Sequence, residues 1–356
     1  MSLMRDFSRA RYAAAQGARV AWYLGQYLLA RRISGPFDRP GDPKFKPQAA
    51  EGDPARIRAS FLDLFAKDRA NIEAGLYPAP DEVRVESALS ALRNSARFFR
   101  DLPRVDARRL QRDGTEVRQE TQTAQTGAER RYPSYYLQNF HYQTGGWLSR
   151  ESAKLYDTQV EILFGGAADA MRRIALGSLA RALKGRDQRQ VKLLDLACGN
   201  GRFLRQILAA FPRIPATGLD LSPAYCAEAR TRLADWPQVD IITGAVEQAP
   251  FESESFDAAT CVYLFHELPP RIRRDALREI ARVLKPGGVL VFADSIQSGD
   301  APDLDRMLEY FPVGFHEPYF GSYLSEDFLG LLAEVGLAHE ETELAFLTKV
   351  MRFRKV

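Results

Sequence analysis

The 356 residues carry 46% hydrophobic and 11% aromatic side chains, so wholesale disorder is excluded and the length suits one large domain plus an accessory piece. A net charge of +3 argues neither for nor against a polyanionic partner, although residues 1–34 concentrate six arginines against one aspartate. Three cysteines (Cys198, Cys226, Cys261) lie far apart with no C-x-x-C pair or histidine cluster; this excludes a disulfide framework, gives no reason to expect a metal, and fits a reduced, cytoplasmic setting.

The first apolar run, Val20–Ala30, is about half the length needed to span a bilayer and is flanked by Arg19, Arg31 and Arg32. No small-residue cleavage site follows it in a secretory pattern. Two readings stay open: an interfacial helix with Trp22, Tyr23 and Tyr27 at the inner face of a membrane, or a helix docked on the protein body. Residues 35–56 hold five prolines and read as extended connector. Helical spacing returns over 56–74 through Ile57, Phe61, Leu64 and Phe65, and over 81–101 through Val83, Leu89, Leu92 and Phe98. The polar stretch 107–131 reads as a flexible linker or a long exposed helix.

From Tyr132 to Leu148 the chain packs aromatics around a Gly145-Gly146 hinge, and a long helical region follows over 152–183, broken near Gly165-Gly166. Strands are then expected at 191–197, 215–220, 239–243, 257–263 and 288–293, with helices near 202–210, 223–235, 270–284 and 325–335. Such alternation predicts an α/β fold with a parallel sheet covered on both faces, and the runs 340–345 and 347–354 predict an antiparallel closing hairpin. The organisation expected is a helical accessory region over 1–131, an aromatic lid with helices over 132–190, and a cofactor-binding domain over 191–356.

The most informative stretch is Leu193-Leu194-Asp195-Leu196-Ala197-Cys198-Gly199-Asn200-Gly201, an apolar strand entering a glycine turn, with Asp220 one strand–helix–strand unit later. Glycines let backbone approach a ligand, and a carboxylate at the second strand's end can accept from a ribose diol. Together with Gly218–Ser222, Phe256-Asp257 and Glu279–Gly288, in that order, this half of the chain resembles the class I, Rossmann-like S-adenosylmethionine-dependent methyltransferases, in the broad group acting on small molecules. The resemblance implies a mostly parallel seven-stranded sheet with an antiparallel C-terminal hairpin, preceded by the helical N-terminal region. It implies S-adenosyl-L-methionine as cofactor, held by Asp195, Ala197, Gly199, Asn200, Gly201, Asp220 and Leu221, with Asp195 toward the ammonium and Asp220 on both ribose hydroxyls. Where such proteins often carry an acid for the adenine amino group, this chain has Ala245, so Val246 backbone or Glu247 takes over. An NAD-dependent oxidoreductase on the same architecture would need a third glycine where Leu204 stands. A non-catalytic S-adenosylmethionine-binding regulator or scaffold is the other alternative, favoured only by the acid missing at Ala245.

An acceptor would meet the methyl group above the fourth and fifth strands, near Tyr263 and the Phe265-His266-Glu267 sequence. His266, His316 and His141 are the candidate bases if the acceptor must lose a proton. Tyr142 and Trp147 either pack near the sulfonium, where a ring face favours positive charge, or belong to the core beneath the N-terminal helices. So many aromatics imply a small-molecule acceptor of hydrophobic character: lipid-like, polyketide-like, quinone-like or aromatic. No nucleic acid partner is expected; peripheral membrane contact through residues 1–34 is the first of the two readings left open for that helix. The acceptor's identity and the oligomeric state are not encoded in any motif.

Overall fold

The computed structural model describes residues 2–34, 46–80, 88–124 and 132–356. Its centre is β1 (Leu193–Leu196), buried at all four positions, as a strand flanked by neighbours on both sides and helices on both faces must be. β2 (Ala216–Asp220), β3 (Val239–Thr243), β4 (Phe256–Val262), β5 (Leu284–Ser295), β6 (Leu337–Ala345) and β7 (Thr348–Lys355) complete a seven-stranded sheet of order β3-β2-β1-β4-β5-β7-β6. β1 to β5 are parallel, whereas β7 runs antiparallel to both β5 and β6. This is the α/β, Rossmann-like sheet that the alternation predicts. The chain order reverses between β1 and β4, so a crevice opens at their carboxyl ends.

Side-chain alternation along β5 divides the interior. Val289, Val291 and Ala293 enter a core with Met171 and Ile174 of α6 (Ala168–Ala182) and Leu204 and Ile207 of α7 (Arg202–Ala210). Leu290 and Phe292 point to the other face, against Leu277 and Ile280 of α9 (Pro270–Val283) and Phe328 of α12 (Phe328–Glu334). α8 (Pro223–Arg232) links β2 to β3 and is capped by Ser222, whose hydroxyl accepts from Tyr225 N. Burying both faces of one sheet is the main hydrophobic contribution to this fold.

Before the sheet come α1 (Ser2–Ile33), α2 (Pro54–Glu73), α3 (Ala88–Gln111), α4 (Glu116–Ala124) and α5 (Arg150–Leu163); α1 and α3 pack on α5, and α2 and α5 pack on α6. The break expected at Gly165-Gly166 separates α5 from α6. α3 runs ten residues beyond the end expected near 101 and contains Pro103. The polar stretch after it is not wholly linker, because Asn139 Oδ1 accepts from Val117 N and Arg108 reaches Glu116, fixing α4 from outside the segment. The remainder of that stretch, 125–131, lies outside the described residues, as do half of the proline-rich connector (35–45) and 81–87. The insert after β5 forms α10 (Pro302–Gly314) and α11 (Phe320–Tyr323), helices that the sequence pattern did not single out.

α2 is joined to α6 by charge. Asp68, with no solvent exposure, accepts from Arg173 Nε and Nη2 at 2.9 and 2.7 Å, from the Tyr77 hydroxyl at 2.8 Å and from the Tyr12 hydroxyl of α1 at 2.5 Å. Removing one side of a buried pair costs about 3–5 kcal/mol, because the other charge stays out of water. Asp68→Ala should therefore lower the guanidinium unfolding midpoint by that equivalent, whereas Asp63→Ala, on the exposed side of α2, should leave it unmoved. Equal midpoints for the two variants would contradict this account.

Candidate functional site

The cleft at the sheet's carboxyl edge is built from the turn after β1, the tip of β2 and the irregular aromatic segment before α5. Gly199, at φ +56°, has open space where a side chain would stand: the nearest neighbour to an added Cβ is Tyr225 Cδ1 at 4.0 Å. Asp220 closes the turn from the second strand, accepting from Gly199 N at 2.9 Å and Ser222 N at 2.8 Å. Each of its oxygens keeps a lone pair for a further donor. Asp195 accepts from Thr260 Oγ1 at 2.6 Å through Oδ1, while its Oδ2 is buried with no hydrogen-bond partner. Burial raises the Asp195 carboxyl to about 7, with Asp220 adding to the rise and Thr260 opposing it. Burial likewise raises Asp220 to about 6 against its two backbone hydrogen bonds. Two carboxylates with spare acceptor capacity, Asp195 buried and Asp220 half-buried, make a site for a cation-bearing ligand rich in hydroxyl donors.

The wall around them is aromatic: Tyr135, Tyr136, Phe140, Trp147, Tyr156 and Tyr225 line the cleft. Ala197, Asn200, Leu221, Val246, Glu247 and Tyr263 line it too, as expected. Glu247 accepts from the Tyr135 hydroxyl at 2.5 Å, which fixes that ring over the cleft. Three expected cofactor residues stand elsewhere. Ala245 lies at the end of β3 outside the lining, where its small side chain offers no donor or acceptor. Gly201 does not line the cleft; a Cβ there would press on Leu233 and Ala229 at 3.1–3.2 Å, so its smallness serves the packing of α7 against α8. Tyr142 turns its ring toward His316, 5.7 Å between centroids, and leaves the cleft to Tyr135, Tyr136 and Tyr156. His141 and Tyr142 are successive residues with φ of +53° and +55°, a reversal that carries the ring away.

Beside the turn, buried ions connect five helices. Asp169 at the start of α6 binds Arg202 of α7 (Nε to Oδ1, 2.7 Å), Arg172 at 3.2 Å and Arg19 of α1 at 3.1 Å. Arg19 also meets Glu161 of α5 at 2.7 Å, and Asp157 of α5 accepts from Arg232 of α8 at 2.7 Å. Burial alone would raise Asp169, but Arg202 and Arg19 hold it well below the usual carboxylate range. Arg172, Arg202 and Asp157 all reach the cleft lining.

A second, larger cavity of about 410 Å³ adjoins the cleft and shares Tyr156, Tyr263 and Glu267 with it. Most of its wall is apolar, with Leu102 and Val105 of α3, Leu163 and Phe164 after α5, and Phe311 and Phe320 of the insert. His266 stands at its inner end, in the short turn Phe265–Glu267 that follows β4. Its Nδ1 lies 2.5 Å from Asp294 Oδ1, at the end of β5, and Asp294 is itself buried and held by Phe265 N and Ser295 N at 2.7 Å. Burial opposes charge on His266, but the Asp294 carboxylate and its hydrogen bond outweigh it and lift the imidazole to about 9. A pKa raised in this way favours the charged ring near neutral pH, which donates rather than accepts. His141 also lines this cavity, with Nε2 2.9 Å from the buried Glu317. His316 lines neither cavity; it sits 2.9 Å from the Gln138 amide, and burial lowers its pKa.

Sequence reasoning missed Asp294, Glu317, Arg172 and the tyrosines 135, 136 and 156. A polar residue ending an otherwise apolar fifth strand could have marked Asp294. The tyrosines sit in turns or on a helix whose register no spacing rule resolves. Cys198 lines the cleft, but burial, with Asp220 and Asp195 adding to it, pushes its thiol well up, which is inconsistent with a nucleophile.

A glycine turn, a ribose-facing acid at the tip of β2, and an orphaned carboxylate where an ammonium would lie define a Rossmann-like site of the S-adenosylmethionine type. The residues fit that cofactor: Asp195 would take the ammonium, Asp220 the ribose diol, and Leu221, Val246 and the Tyr135–Tyr136 rings the adenine. A family model described as "Methyltransferase domain" matches residues 193–288. The chain is 30% identical over 212 residues to the ubiquinone/menaquinone biosynthesis C-methyltransferase UbiE of Methylobacterium nodulans, covering 53% of this chain and 81% of that one. It is 35% identical over 105 residues to the phthiotriol/phenolphthiotriol dimycocerosates methyltransferase of Mycobacterium leprae, covering 29% of this chain and 37% of that one. Among solved structures, a SAM-dependent methyltransferase from Aquifex aeolicus matches with 16% identity, 51% of this chain, 89% of that one and a TM-score of 0.39. The protein belongs to the class I S-adenosylmethionine-dependent methyltransferases.

Because the cofactor needs both carboxylates charged, affinity should fall as pH drops through the raised values near 7 and 6. Calorimetry with S-adenosylhomocysteine should show a loss of roughly ten-fold or more between about pH 8 and pH 5. Asp220→Ala should weaken binding by roughly 10- to 150-fold at pH 8, the value of hydrogen bonds to a charged group. A flat pH profile would contradict the assignment of the two acids.

Proposed function

We propose that this methyltransferase acts on a hydrophobic acceptor whose reacting end carries an acidic hydroxyl, of quinol, phenol or enol type. The apolar cavity next to the cofactor cleft carries this reading, since it offers room for an extended body with one polar end at His266 and Glu267. The relatives named for ubiquinone/menaquinone biosynthesis and for phthiotriol dimycocerosates support an acceptor of quinone-like or lipid-like class. In this reading residues 1–131 are an accessory region that walls the acceptor cavity, 132–190 supply the lid, and 191–356 hold the cofactor.

When bound, S-adenosylmethionine supplies a methyl group already activated on a sulfonium. The chain's residues then have two tasks, alignment and exclusion of water. Tyr156 and Tyr263 stand where cleft and cavity meet and define the line of approach. The His266 cation donates Nδ1–H to Asp294, and its Nε2, which has no hydrogen-bond partner among the described residues, donates to the acceptor oxygen. That contact favours the acceptor in its oxyanion form, its proton having gone to solvent before binding, and so enriches the nucleophile without a dedicated base. Among the described residues no helix is long and apolar enough to cross a membrane, in keeping with a proposed cytoplasmic location.

The pH dependence has a definite sign. His266 is raised, so its charge is complete below its ordinary value near 6.5 and lost as pH passes about 9. Turnover should decline above about 9 in the wild type, and His266→Gln should lower kcat by roughly 10²–10³ while S-adenosylhomocysteine affinity is retained. Turnover that rises through pH 9 would assign His266 the role of base instead. With a panel of hydroquinones and phenols, apolar-tailed members should show kcat/KM at least roughly ten-fold above tailless ones, given about 0.8 kcal/mol per buried methylene. Preference for small polar acceptors would overturn the proposed substrate class.

A further inference from the structure

The outer faces of α1 and α3 have a composition that the methyl-transfer site does not explain. α1 and α3 pack against each other and both rest on α5, so the sides turned away from α5 lie next to one another. On α3, Arg93, Arg97, Arg100 and Arg104 are exposed at spacings of four, three and four residues, a single stripe along the helix. Among the described residues none of these four is in an ion pair. The helix's two acids, Asp101 and Asp106, both face the apolar cavity instead. Leu89 and Leu92 stand beside the stripe, 57% and 55% exposed. On α1, Leu28, Leu29 and Ile33 are 48–55% exposed next to the exposed Arg32. Large leucines left in water among arginines are costly unless the surface meets something both anionic and apolar.

The inner faces of the same helices carry the second observation. Tyr27, Ala30 and Ser34 of the α1 end, and Phe98, Leu102 and Val105 of α3, wall the cavity that leads to His266. Two residues of its lining, Arg31 and Met307 of α10, are exposed to solvent, Met307 by 37%. The surface and the route to the catalytic end are thus two sides of one helix pair.

We propose that the outer faces of α1 and α3 dock on an anionic phospholipid bilayer, with the leucines in the acyl boundary and the arginine stripe on the headgroups. The stripe meets the negative surface, and the apolar side chains enter by the ordinary burial of a peripheral amphipathic helix. An apolar acceptor then leaves the bilayer into the cavity between helix pair and sheet without crossing water; this last step rests on the hydrophobic acceptor proposed above. A nucleic-acid partner would use the same arginines but has no use for exposed leucines or for the cavity behind them.

The test is vesicle flotation of the full-length protein. It should float with phosphatidylglycerol-containing vesicles and not with phosphatidylcholine alone, and the binding should weaken between about 50 mM and 500 mM salt as the charges are screened. Replacing Arg93, Arg97, Arg100 and Arg104 together by glutamine should reduce it by roughly a hundred-fold or more, at about five-fold per arginine near an anionic surface. Leu28→Ser with Leu29→Ser should reduce it without changing its salt dependence. S-Adenosylhomocysteine affinity, unchanged in both variants, shows that they are folded. No flotation with phosphatidylglycerol vesicles, or equal flotation by the arginine variant, would overturn the proposal. So would tighter retention on duplex RNA or DNA than on vesicles at the same salt. Flotation alongside a failed acceptor panel would leave the docking surface standing and sink only the substrate class, so the two failures are distinguishable.

Discussion

Everything at the cofactor end of this molecule hangs on the buried pairing of Asp169 with Arg202, Arg172 and Arg19. A carboxylate held at that depth cannot be left without cations, and the cations come from three helices. Arg202 is the residue that follows Gly201, so its anchorage fixes the exit of the glycine turn into α7. Arg19 belongs to the first helix of the described chain, so the same ion that sets the turn also seats α1. Asp157 repeats the device on a smaller scale between α5, α7 and α8. The accessory helices are therefore not an appendage to the sheet: the charges that position the cofactor turn are satisfied only when they are in place.

The two cavities divide the chemistry. The cleft under Tyr135, Tyr136 and Trp147 is lined by acids whose charge is raised in cost by burial, and a cationic ligand relieves it. The apolar cavity places His266 close to the shared wall, with the raised Glu267 beside it, while Arg31 and Arg109 line it elsewhere.

The sheet was legible in the sequence because strands buried on two faces write themselves as unbroken apolar runs, and β1 to β4 fall within a residue or two of their expected bounds. Asp195, Gly199 and Asp220 were legible for a related reason: a turn that must pass close to a ligand restricts which residues it can contain. The lid resisted prediction. Tyr142 was as plausible as Tyr136 from spacing alone, because a segment of turns has no period to tell inside from outside. Gly201 adds a demand that the motif does not announce, since helix packing leaves no room for a Cβ there. The charge state of His266 depends on Asp294, 28 residues away in sequence and brought alongside only by the parallel pairing of β4 with β5.

The successive left-handed residues His141 and Tyr142 have a consequence for the lid. Non-glycine residues hold such a conformation at a cost of order 1–3 kcal/mol each, so the lid has no local preference for the shape it adopts. That shape is imposed by Arg108 of α3, whose Nε donates to the Tyr142 carbonyl at 3.0 Å, and by Asn139, which donates to the Gln143 carbonyl at 2.9 Å. The strained reversal is thus held by the same helix that carries the arginine stripe, with Arg108 one turn beyond Arg104. The seating of α3 is therefore one of the things that keeps the segment carrying Phe140 and Trp147 in the shape that lines the cofactor cleft.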